Sequence, residues 1–169
     1  MNILARLNDC IESILNVFCA LLLGIFTFMV SFQIIARGLL GYSIAWSIEA
    51  SLMAFIWSVF LGAPIALRHR LHFYIEIFPK KCIRINLFLD VLGDLVCYIV
   101  LFVMVVYGVG FAKMGISQYF SYLYISQSFL MVSILVSGVL MFPICTENLL
   151  KDIAKFRNVV FNNLKKVEE

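Results

Sequence analysis

Residues 46–70 read WSIEASLMAFIWSVFLGAPIALRHR. Trp46 stands where an interfacial anchor belongs, Glu49 follows about one turn later, and no further charge appears until Arg68, His69 and Arg70. An apolar run that is long enough to cross hydrocarbon and ends on a cationic cluster reads as a transmembrane helix whose basic end stays in the cytoplasm. This span is predicted over residues 46–67.

Outward from it, the pattern alternates. Of 13 Lys and Arg residues, all but Arg37 and Lys113 fall in the N-terminal tail (Arg6), the middle loop (Arg68, Arg70, Lys80, Lys81, Arg84) and the C-terminal tail (Lys151, Lys155, Arg157, Lys165, Lys166). Four spans with both termini cytoplasmic satisfy this alternation. The others are predicted over 13–36, 92–112 and 125–145. The first has 24 uncharged positions, longer at 1.5 Å per residue than the ~30 Å hydrocarbon layer, so it should tilt. Residues 1–12 read as an amphipathic lead-in, with Ile3, Leu4, Leu7 and Ile11 on one side. A cleavable signal peptide is not expected, because Asp9 and Glu12 precede an apolar stretch about twice the usual length. Residues 73–90 are too charged to span and suggest in-plane amphipathic pieces on the anionic inner leaflet. The tail, 146–169, is expected to be helical from Glu147 to about Asn158.

Composition agrees. The 169 residues are 63% hydrophobic and 14% charged, with mean hydropathy +1.02. A soluble domain carries about a quarter charged residues. The expected fold is therefore an all-α membrane protein of four transmembrane helices forming a single membrane domain over 1–169, multi-pass in the inner (cytoplasmic) membrane and in contact with membrane lipid. The spans leave no room for a soluble catalytic domain. The net charge of +3 lies beside spans and forms no patch for nucleic acid.

Small residues mark helix packing. Ala50, Ala54, Ser58, Gly62 and Ala66 recur at every fourth position, and such a row lets helix backbones approach closely in lipid. Ala20, Gly24, Thr27 and Ser31 repeat the theme in the first span, and Ser133 and Ser137 in the fourth. The row serves either internal packing of a four-helix bundle or the docking of another membrane subunit. Pro64, one turn from the end of its span, should loosen the helix around Phe60.

Candidates for chemistry are few. Glu49 sits at the outer interface, where a carboxylate can pair with Arg37, pair across subunits, or couple transport to protons. His69 and His72 are the only histidines and lack a third ligand, so metal binding is not expected. Asp90 and Asp94 suit a helix N-terminus, with Lys80, Lys81 and Arg84 nearby. The cysteines, Cys10, Cys19, Cys82, Cys97 and Cys145, form no C-x-x-C pair and read as small apolar fillers. Neither an enzyme nor a cofactor site is indicated.

In order along the chain stand Phe32-Gln33-Ile34-Ile35-Ala36-Arg37, Trp46-Ser47-Ile48-Glu49, Trp57, Leu61-Gly62-Ala63, Arg68 and His72. In this combination the chain resembles the small membrane subunit of tripartite ATP-independent periplasmic (TRAP) transporters, the DctQ-like family. It departs in having Ile48 where a second acidic residue is common, Arg70 where a glycine is usual, and no proline at the entrance to the last span. The resemblance implies two partners, a large membrane subunit carrying the substrate and Na⁺ sites and a periplasmic solute-binding protein delivering an organic acid such as a sialic acid or a C4-dicarboxylate. It implies a scaffolding role, with Arg37, Trp46, Glu49, Trp57, Gly62, Arg68 and His72 as subunit-interface or structural residues. The competing reading is a homodimeric small proton-coupled drug exporter built around Glu49. Such exporters place an acid deep in the first span, and here that span has none.

Overall fold

The computed structural model describes residues 2–41, 44–69 and 83–168. Four α-helices fill almost all of them: α1 (Asn2–Leu40), α2 (Ala45–Arg68), α3 (Ile83–Gly115) and α4 (Ser128–Glu168). Each contains a stretch long and apolar enough to cross a membrane. Hydrocarbon offers no hydrogen-bond partner for the backbone, so apolar runs of this length close their amide bonds internally as helices. Among the described residues the only strand-like pairing is one isolated bridge, Tyr119 with Ser126.

Several boundaries differ from the expected ones. The amphipathic lead-in is no separate piece: α1 runs through it without a break and continues past Arg37 to Leu40. Of the in-plane segment expected over 73–90, residues 73–82 lie outside the described residues, while 83–90 are the first turns of α3. Residues 125–127 belong to the α3–α4 loop, because Ile125 and Gln127 are engaged in pairing with Phe120 and Gln118. α4 then extends unbroken through the tail to Glu168 and carries Pro143 inside it. Pro64 is fully buried within α2, which continues to Arg68.

The helices form a row and not a closed bundle. α1 packs on α2, α2 on α4, and α4 on α3; α1 also touches α4, and among the described residues α3 meets α4 alone. One end of the row gathers the start of α1 and the end of α2, and is called here the charged end; the α3–α4 loop marks the other. The core lies toward the charged end, where Leu67, Cys97, Leu101, Met141, Ile144 and Cys145 pack with Ala63 and Tyr98.

Glycine supports close helix approach between α3 and α4. A Cβ at Gly138 would lie 3.1 Å from Val105 Cγ2, and one at Gly108 would lie 3.4 Å from Leu135 Cβ. The row on α2 behaves differently. Its Ala54 and Ser58 are buried, but Ala50, Gly62 and Ala66 are only half-buried, and a Cβ at Gly62 would meet nothing. The buried face of α2 is Ser47, Ala54, Ser58, Leu61, Pro64 and Leu67. That face runs along the axis at spacings near seven residues per two turns, whereas an every-fourth row slants off it.

Along α2, Glu49 and Arg68 stand nineteen residues apart, about 28 Å at helical rise. That matches the ~30 Å thickness of bilayer hydrocarbon. Asp94 and Lys113 of α3 have the same spacing.

At the end of α3, a Cβ on Gly115 would strike Ser128 N at 2.6 Å and Ser128 Cα at 2.7 Å, both backbone atoms of the first residue of α4. Gly115→Ala is expected to destabilise the chain by about 1–3 kcal/mol, the usual cost of overpacking. Gly62→Ala should be neutral or stabilising by up to about 1 kcal/mol through helix propensity. Thermal unfolding of the two variants in detergent checks this, and equal losses would contradict the packing.

Candidate functional site

Polar chemistry collects at the two levels where the helices leave hydrocarbon. At the charged end, Arg68 closes α2 and reaches back to α1. It donates to Asp9, and its Nε lies 2.6 Å from Glu12 Oε2. His69 Nε2 lies 2.8 Å from the other Glu12 oxygen. Asp9 and Glu12 share a face of α1 because three residues are close to one helical turn. The guanidinium fork engages both at once, a geometry that lysine lacks.

One position earlier, Asn8 is completely buried while its neighbour Leu7 is 55% exposed. Asn8 Nδ2 donates to Glu147 Oε2 at 2.5 Å and to the Pro143 carbonyl at 3.3 Å, bridging α1 to α4. Lys151 Nζ lies 2.6 Å from Glu147 Oε1, one turn along α4. Asn148 Nδ2 donates to the Leu67 carbonyl at 3.3 Å, and so supplies a donor to the last turn of α2. Tyr98 and Thr146 hydroxyls meet at 2.7 Å between α3 and α4. Helices α1, α2 and α4 are thus tied together by side chains that the water-facing level can solvate in part.

At the other end, the α3–α4 loop folds on itself. Phe120 N donates to Ile125 O at 2.9 Å and Gln127 N to Gln118 O at 2.8 Å. Tyr124 N donates to Phe120 O at 3.2 Å, which closes one helical turn that goes no further. Tyr124 ends it with φ +55°, the left-handed conformation that terminates helical turns. The amides of residues 121–123 are then orphan donors, as at any helix start. Glu49 supplies the acceptors: Oε1 takes Ser121 N at 3.0 Å and Tyr122 N at 3.3 Å, and Oε2 takes Tyr122 N at 3.1 Å and Leu123 N at 2.9 Å. A carboxylate facing successive N–H groups is an anion in a backbone nest. The loop is fixed to α3 and α4 as well, through Ser126 Oγ to Gly115 O at 2.8 Å and Ser128 Oγ to Ala112 O at 2.7 Å.

On the loop side of Glu49, Ser47 Oγ donates to Met29 O at 3.2 Å, and between the two levels Cys19 Sγ lies 3.7 Å from Ser58 O. Trp57 packs against Phe129 with ring centroids 5.3 Å apart. Among the described residues no group of three or more His, Cys, Asp or Glu is placed to hold a metal.

The residues singled out from the sequence therefore separate. Glu49 and Arg68 anchor the two polar clusters. The Glu49–Arg37 pair does not form: Arg37 is exposed on α1, and the carboxylate serves the loop amides. Asp90 and Asp94 lie further along α3 than a first turn, because that helix begins at Ile83. Trp46 is exposed and Gly62 faces open space. His72 lies outside the described residues. Sequence reasoning missed Asn8, Glu147 and Asn148, whose signal is a set of polar residues at helical spacing within otherwise apolar neighbours. It also missed the turn at 120–124, which has no glycine to announce it.

A family model described as "Tripartite ATP-independent periplasmic transporters, DctQ component" matches residues 26–155, well over half of the chain. No curated protein matches it.

Glu49→Ala should release the amides of Ser121, Tyr122 and Leu123, which hydrogen–deuterium exchange reads directly as lost protection confined to the loop. Arg68→Ala strands Asp9 and leaves Glu12 only His69, and is expected to cost about 1.5–3 kcal/mol, the range for hydrogen bonds to charged groups. A double-mutant cycle of Arg68→Ala with Glu12→Ala, followed by unfolding in detergent, should return a coupling energy of at least about 0.5 kcal/mol.

Proposed function

The chain belongs to the DctQ family, the small membrane subunit of tripartite ATP-independent periplasmic transporters, and on that premise we propose that it is a scaffold that moves no solute itself. It would brace the large membrane subunit, which carries the substrate and Na⁺ sites, during uptake of an organic acid such as a sialic acid or a C4-dicarboxylate. The acid is delivered by a periplasmic solute-binding protein. In this reading the charged end and both termini lie in the cytoplasm, as the distribution of Lys and Arg favours, and the Glu49-held loop faces the periplasm.

The observation that carries the proposal is the state of Glu49. A carboxylate that works by cycling protons or cations needs free oxygens along a path. Both oxygens of Glu49 are held by three amides of the chain's own loop. Arg68 is likewise engaged within the chain. These groups set the shape of the subunit, and a fixed shape is what a scaffold contributes.

Reconstitution tests this. Proteoliposomes containing this chain with its large subunit and binding protein should take up the acid in a Na⁺ gradient, and proteoliposomes containing this chain alone should not. Glu49→Gln keeps one acceptor oxygen for the loop, puts an NH2 donor in place of the other and loses the charge. It should lower uptake only as far as it lowers assembly of the two membrane subunits, and leave the Na⁺ dependence unchanged. Uptake by the chain alone, or intact assembly with abolished uptake in Glu49→Gln, would overturn the scaffold reading.

A further inference from the structure

We draw no further inference here: the strongest candidate, the apolar cleft between α1, α2 and α4 that Ala50 and Ala54 line together with Phe18 and Phe129, is largely open, and nothing in the structure shows what covers it.

Discussion

Two ionic side chains on α2, Glu49 and Arg68, hold this chain together at the levels where hydrocarbon gives way to water. Lipid tails are as apolar as leucine, so no hydrophobic force drives one span against the next. Association must come from close packing and from polar contacts that lipid cannot replace. Glu49 fixes the loop joining α3 to α4, and Arg68 fixes the start of α1. With α2 in the middle, both outer pairs of the row are thereby referred to one rod. Between the latches the contacts are weaker and more diffuse: a thiol on a carbonyl, and glycine-assisted approach of α3 to α4.

This division explains what was legible in the sequence. The number and type of elements followed from apolar run length and the placement of Lys and Arg, because the constraint behind them is the thickness of the hydrocarbon and does not depend on partners. Span 46–67 matched α2 to within a residue at each end. Ends that lie in water were misjudged, since nothing there obliges a helix to stop, and α1 and α4 run on well past the hydrocarbon. Contacts were harder to see. The every-fourth row on α2 was visible as a pattern, but which members are buried depends on the crossing geometry, and Gly62 proved to face open space. Glu49 was recognisable as the unusual carboxylate, yet its partner is backbone, and backbone amides carry no mark in a sequence. Arg37, one of the partners the sequence offered, does not meet the carboxylate for that reason.

The same arrangement bears on how the subunit works. Its two strongest polar anchors are spent on internal bonds, and the outer faces of α1 and α3 remain apolar, with residues such as Phe28, Ile34, Phe102 and Tyr107 more than 60% exposed. A chain of this kind keeps its own geometry and offers the surroundings mostly hydrocarbon. The loop is unusual in combining a non-glycine residue at positive φ with several bonds to two helices and a carboxylate. Left-handed backbone costs a tyrosine roughly 1–2 kcal/mol, a cost offset by the bonds that the turn makes possible.

The separation of the two latches has a further meaning. Since both charges ride on one short helix, their distance is a fixed ruler of about 28 Å. A bilayer thicker than this cannot stretch the ruler, and has to thin around it or accept misplaced headgroups, at fractions of a kcal/mol for each ångström, whereas a thinner one is met by tilt. α1, with its longer uncharged run, can lean to follow a thicker layer as well as a thinner one; α2 can follow only the thinner. The chain is in this respect a caliper with one upper limit, suited to company, lipid or protein, cut to the same gauge.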